Sequence, residues 1–235
     1  MTEQSSGEPG ASALPAEVAN WPTWTPDEAQ LGELELLLAG AFAPQAGYLP
    51  PVGVATREGA GGRGGDDTDA TPWPLPVTLA VPASALPEGA SDLVLTDPEG
   101  SPLAALEITG REVSDSTISL SGPVTALRPA EHGPFRAMRR TPADVRSELE
   151  DAPVLALATR GPLTQRHIGQ LRHLRPPGAR LLLLPLIAGP ARVVGRPEAL
   201  VRAVRAAARQ LPEGTLVIPV PLPPRATAEE ELMAR

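Results

Sequence analysis

Arg160, Thr164, Gln165, Arg166 and His167 bring two guanidinium groups, a hydroxyl, an amide and an imidazole together within eight consecutive positions. That mixture handles anions. Arg160 offers a planar fork that matches an oxyanion bidentately. Thr164 can donate a hydrogen bond but carries no charge, and His167 can hold or pass a proton. The apolar run Pro153 to Thr159 predicts a buried strand, and Gly161 to about Leu174 predicts a loop followed by a helix. A strand feeding a helix through such a loop sets backbone N–H groups and the positive end of the helix dipole where phosphate or sulfate is favoured. In an open parallel sheet this is also the carboxyl edge, where ligands bind.

Other basic and titratable residues have plainer readings. Gly189 to Arg196, with Arg192 and Arg196, looks like a phosphate loop but reads better as a strand-to-helix connection stopped at Pro197. Arg202, Arg205 and Arg209 recur at the spacing of one solvated helix face, and Arg172 and His173 read the same way. His132 has no visible partners and receives no role.

Composition narrows the chemistry. All 20 basic residues are arginine, so a Walker lysine and a Schiff-base lysine are both excluded. There is no cysteine, hence no disulfide framework and no thiolate metal site. Residues 1–135 hold 4 arginines against 19 acids, whereas residues 136–235 hold 16 arginines against 9 acids, which assigns anion chemistry to the second part. The acidic first part argues against nucleic-acid binding, which begins with phosphate neutralisation. The most apolar run, Leu181 to Ala188, contains Pro185 and is too short to cross a membrane. The expectation is a cytoplasmic protein with no metal site of its own.

The elements that must position the site divide the chain in two. Residues 1–19 read as a disordered tail. Leu31, Leu34, Leu37 and Leu38 fall at helical spacing within Asp27 to Ala39, after Thr25-Pro26 as N-cap and N1, predicting a helix with one buried face. A glycine- and aspartate-rich stretch at 57–71 predicts a flexible loop. Leu75 to Val81, Asp92 to Thr96, Leu103 to Thr109 and Ser116 to Leu120 read as short strands separated by turn signals, the rhythm of a small β-barrel or sandwich. After Met138 the pattern changes: a helix from Thr141 to about Glu150, then strand, helix, strand (Arg180 to Leu186), helix (Pro197 to Gln210) and strand (Thr215 to Val220). That alternation predicts a parallel sheet. The fold class is therefore α+β, with a β-module at 20–138 and an α/β domain at 139–235.

Ala158-Thr-Arg-Gly-Pro-Leu-Thr-Gln-Arg-His167 resembles the Q-T-R-N-P-[LM]-H-R-A-H motif of the ATP sulfurylase (sulfate adenylyltransferase) family. Thr159, Arg160, Pro162, Leu163 and His167 match; Ala158, Gly161, Thr164, Gln165 and Arg166 depart. Three further segments resemble the family in the same order along the chain. Gly40-Ala-Phe-Ala-Pro-Gln-Ala-Gly-Tyr48, with the helix before it, is similar to the family's opening helix and G-x-F-x-P-L-x-G-F turn. Trp73-Pro-Leu-Pro-Val-Thr-Leu79 and Asp97-Pro-Glu-Gly100 are similar to its PUA-like β-module, and Arg140 to Leu149 to the helix that precedes the motif. Pro-Leu-Pro-Pro-Arg225 stands where the family has M-R-Y-A-G-P-R-E-A, and no G-R-D-H-A-G segment follows.

The resemblance implies a PUA-like barrel followed by an incomplete Rossmann-like nucleotidyltransferase domain. It implies a reaction in which sulfate attacks the α-phosphorus of ATP, releasing pyrophosphate and adenylyl sulfate, with Mg2+ accompanying the nucleotide. His167 and Thr164 would hold the catalytic positions. Thr159, Arg160, Gly161, Leu163 and Arg166 would line the nucleotide and sulfate. Thr164 in place of the first histidine, and the altered Q-T-R-N positions, imply impaired turnover; a catalytically inactive binding or regulatory domain is the alternative. Partners implied are ATP, sulfate and adenylyl sulfate, together with an adenylylsulfate kinase domain or subunit, since family members also occur fused to one.

Overall fold

The computed structural model describes residues 18–51, 76–128, 135–150, 152–188 and 196–225. The tail at 1–17, the loop at 57–71, His132 and Arg192 lie outside them.

The first part is organised around one long strand. The strands are β1 (Thr23–Trp24), β2 (Gly47–Tyr48), β3 (Leu79–Pro82), β4 (Asp92–Thr96), β5 (Pro102–Glu107), β6 (Gly110–Ser114) and β7 (Thr117–Ala126). The first half of β7 pairs antiparallel with β3 and β6, and its second half with β5 and β2. β4 pairs antiparallel with β5, and β1 adds to β4 in parallel. Alternating inward residues, Leu79 and Val81 on β3 and Ala104 and Leu106 on β5, with Leu120 on β7, fill the interior. The Asp97 side chain accepts from Ser101 N at 2.7 Å while Gly100 takes φ 82°, which closes the β4–β5 turn.

Helix α1 (Glu28–Leu38) departs from expectation in two ways. Its N-cap is Asp27, not Thr25. Asp27 accepts from Gln30 N at 2.8 Å and Gln30 returns the bond to Asp27 N at 3.1 Å, a reciprocal cap that starts the helix two residues later than Thr25-Pro26 would. Nor is there a single buried face: every residue from Leu31 to Leu37 is buried, Glu33 and Glu35 included. The reason is that α1 is covered twice, by the β-module and by the C-terminal segment. A Cβ placed on Gly32 would lie 2.3 Å from the Pro221 carbonyl oxygen, so only glycine permits that approach.

The second part begins with α2 (Pro142–Leu149), N-capped by Thr141, whose hydroxyl accepts from Asp144 N while the Asp144 carboxylate accepts from Thr141 N. Then follow β8 (Val154–Thr159), α3 (Gln165–Leu174), β9 (Arg180–Pro185), α4 (Pro197–Ala208) and β10 (Leu216–Val217). The strands pair in parallel in the order β10, β9, β8. β8 stands at the edge of this sheet among the described residues, and Val154 and Ala156 are exposed, so it is a half-covered strand and not the buried one its apolar sequence suggests. α4 buries Leu200, Val201, Val204 and Ala207 and leaves Arg202, Arg205 and Arg209 in solvent, as its spacing predicts.

Two apolar clusters hold the chain. One joins α3, α4 and β9 through Ile168, Leu171, Leu183, Leu200 and Val204. The other is the β-module core, and it also takes in Leu186 and Leu222 from the second part, with Ala158 and Val220 packed against it. The carboxyl ends of the parallel strands are therefore embedded in the core of the β-module.

Candidate nucleotide and oxyanion site

The candidate loop starts where β8 ends. Thr159 pairs in register with Pro185, and Leu186 N donates to the Thr159 carbonyl at 2.9 Å, so the strand is held to its last residue. The Thr159 hydroxyl donates to Gly161 O at 2.8 Å and accepts from Gly161 N at 3.1 Å, which folds the chain back over one residue. A Cβ on Gly161 would meet no atom within 4 Å, so the space above it is open.

Arg160 sits inside this turn and points inward. It is 7% exposed, and its Nη1 donates to Ala188 O at 3.3 Å and Leu222 O at 3.0 Å. Both carbonyls belong to segments that continue from the parallel strands, so the guanidinium ties three chain segments together at the sheet's carboxyl edge. The expected fork for an anion thus has at least one of its nitrogens committed to backbone.

Thr164 and His167 form a unit of a different kind. Thr164 is the N-cap of α3: its hydroxyl accepts from His167 N at 3.3 Å, and its own N–H donates to His167 Nδ1 at 3.2 Å. An imidazole therefore replaces the usual carboxamide or carboxylate of a capping box. With Nδ1 accepting, the neutral ring carries its proton on Nε2, which leaves that N–H as the donor His167 can present. Both side chains, with Gln165 and Arg166, are exposed on the first turn of α3. Leu163 packs against the α3/α4 cluster and anchors the loop from below. Gln165 Nε2 donates to Gln210 Oε1 at 3.1 Å, and Arg172 donates to the Gln210 carbonyl, which fastens α3 to the end of α4.

Of the residues singled out by sequence, the structure gathers Thr159, Gly161, Thr164, Arg166 and His167 around one surface loop and sends Arg160 beneath it. The Gly189 to Arg196 segment is described only at Arg196, the residue before α4.

Two ion pairs escaped the sequence reading. Arg225 donates to Glu33 at 2.5 Å, and Arg139 pairs with Glu35. They link α1 to the C-terminal segment and to the turn between the two parts. Burial pushes the pKa of both carboxyls upward, and the arginine charges oppose that rise without cancelling it. Acids two residues apart inside a leucine run were the available signal. Tyr48, whose hydroxyl is buried, is likewise pushed up by burial, with the Glu33 charge adding to the rise.

The chain is similar to sulfate adenylyltransferases. It is 29% identical over 192 residues to the sulfate adenylyltransferase of Deinococcus radiodurans, an alignment that spans 68% of this chain and 47% of the relative. To the enzyme of the same name from Deinococcus deserti it is 30% identical over 189 residues, spanning 68% of this chain and 46% of the relative. The chain thus spans about half the length of the curated relatives it matches. Among solved structures, a hexameric APS kinase from Thiobacillus denitrificans superposes with a TM-score of 0.74 at 26% identity, over 92% of this chain and 44% of that one. No family model matches the chain. The likeness supports a mixed, Rossmann-like α/β architecture with a parallel sheet. Among the described residues, no helix is long and apolar enough to cross a membrane.

Proposed function

We propose that this chain is an ATP sulfurylase-like domain of sulfate activation that binds ATP or adenylyl sulfate at the Thr159 to His167 loop and turns over slowly. The observation that carries this reading is the loop itself: a motif-like segment at the carboxyl end of a parallel strand, leading into a capped helix, in a chain similar to sulfate adenylyltransferases. In this reading residues 20–138 form a PUA-like module and residues 139–235 a nucleotidyltransferase-like domain.

In the proposed reaction a sulfate oxygen bonds to the α-phosphorus of ATP and the bond to pyrophosphate breaks. The protein's part is positioning and charge stabilisation. The first-turn N–H groups of α3, the His167 Nε2–H and the Arg166 guanidinium would receive the phosphate oxygens. Arg160 would hold the loop and complete the positive floor beneath it. Residues 158–167 contain no carboxylate, so Mg2+ would enter with the nucleotide's phosphates and not on protein ligands. Thr164 supplies a neutral hydroxyl where the family motif has histidine, and that hydroxyl is already engaged in the helix cap. One missing donor of this kind costs about a hundredfold to a thousandfold in rate.

The second reading, a binding or regulatory domain associated with an adenylylsulfate kinase, is favoured by the same engagement of Thr164 and by the likeness to the APS kinase structure. With no lysine anywhere in its 235 residues, the chain supplies no phosphate-loop lysine for the kinase step. Sulfate-dependent pyrophosphate–ATP exchange, measured beside calorimetric binding of adenylyl sulfate, separates the two. Exchange supports the enzyme, binding alone supports the regulatory domain, and neither would sink the assignment. Gly161→Asn, which restores a polar side chain in open space, should strengthen binding.

A further inference from the structure

The turn that carries Arg160 is held from the β-module. Beyond β10 the chain runs on beside the end of β9: Leu186 pairs in parallel with Val220, Val220 N donates to Pro185 O, and Ile187 N donates to Val220 O, both at 2.9 Å. Arg160 Nη1 donates to one carbonyl on each of these extensions, Ala188 on the first and Leu222 on the second. The position of Leu222 therefore enters the position of the Thr159 to His167 loop.

Leu222 stands within Pro221-Leu-Pro-Pro-Arg225. Three of these five residues are proline and lack a backbone N–H, so a strand ladder cannot fix the stretch, while their rings restrict φ and make it stiff. Its fixed points lie on α1. The Pro221 carbonyl packs on Gly32, and the Arg225 guanidinium donates to Glu33 at 2.5 Å, with both side chains nearly buried. Leu222, between them, belongs to the core of the β-module. Adjacent residues of one helix thus grip both ends of the segment whose middle carries an acceptor for Arg160.

Stability alone does not call for an ion pair in this place. Burial raises the Glu33 pKa and the Arg225 charge offsets that rise only in part; buried pairs of this kind are often no more stabilising than apolar residues of similar volume. What the pair adds is register, since a guanidinium and a carboxylate meet in few geometries and apolar side chains in many. We infer that Glu33 is a positioning residue for the Thr159 to His167 loop, acting through Arg225 and Leu222 on Arg160; the loop's role toward nucleotide and sulfate rests on the proposed function. Glu35, two residues further along α1, is the internal contrast. Its partner Arg139 precedes α2 and lies outside the segment that Arg160 holds.

The test follows amide hydrogen exchange in the full chain, residue by residue. In Glu33→Gln the amides of Gly161, Thr164 and Leu186, whose bonds shape the loop, should exchange about tenfold faster or more, while Leu171 inside α3 keeps its native rate. Glu35→Gln should leave the loop amides at native rates. Glu33→Met/Arg225→Met removes both charges together; it should keep the native urea midpoint and still loosen the loop, and it carries the test if Glu33→Gln fails to fold. Equal acceleration in Glu33→Gln and Glu35→Gln, acceleration that only follows lost urea stability throughout the chain, or native loop rates without the pair overturns the proposal. Calorimetric titration with adenylyl sulfate should show affinity lowered about tenfold in Glu33→Gln and unchanged in Glu35→Gln. A native chain that binds no adenylyl sulfate would sink the proposed function, and the exchange rates would then decide the positioning role by themselves.

Discussion

Gly32 on α1 meets Pro221 so closely that a single methyl group would sit 2.3 Å from the Pro221 carbonyl oxygen. The helix that opens the β-module is thereby seated on the segment leaving the parallel sheet. Gly32→Ala should force α1 away from Pro221 and cost about 1 to 3 kcal/mol of stability, the usual range for overpacking. Urea denaturation checks this; an unchanged midpoint would mean that the contact is loose.

Arg160→Ala should destabilise the chain whatever its role toward a ligand. It strips the Ala188 and Leu222 carbonyls of a charged donor in a buried place, a loss on the order of 3 kcal/mol. The same unfolding measurement, paired with adenylyl sulfate titration, reads both effects. A variant of native stability would show that the guanidinium is not the bracket described.

Thr164→Ala removes the N-cap of α3 and should cost about 1 kcal/mol. Thr164→His introduces the family's imidazole but also loses the capping hydroxyl, so any gain in pyrophosphate–ATP exchange should come with a comparable loss of stability. Rate and melting temperature measured on both variants distinguish a cap from a catalytic position.

Glu33 and Glu35 give a pH signature of defined sign. Their folded pKa values lie above the ordinary glutamate value, so the folded state holds more protons than the unfolded one between the two. Their contribution is fully present below the unfolded value and lost as pH rises through the folded one. The stability of the native chain relative to Glu35→Gln should therefore improve as pH falls from neutral toward 4.5. A decline over that interval would show that the Arg139 charge outweighs burial.

Local signals in the sequence carried far. Thr141-Pro142 and the Asp97 to Gly100 turn form as their residue types dictate, and the apolar spacing of α4 gives both its buried and its arginine face. What eluded the sequence depends on neighbours distant along the chain. The periodicity of α1 suggested one buried stripe because its second cover, Pro221 and its flanks, lies almost two hundred residues away. Val154 and Ala156 read as core because a strand's composition does not reveal that it stands at an edge. The residue types of the motif loop were legible, but the direction of Arg160 was not, since it follows from where Ala188 and Leu222 present their carbonyls.

The core that takes in Leu79, Leu106, Leu186 and Leu222 alike has a thermodynamic consequence. Side chains from both parts leave water in the same step, so neither part retains its full interior if the other melts. Heat or denaturant should then act on the chain as one cooperative unit. Expressed alone, residues 139–235 would bare the strand ends on which the loop rests. The affinity of a loop near residue 160 is in this sense written partly in the leucines of a helix near residue 34.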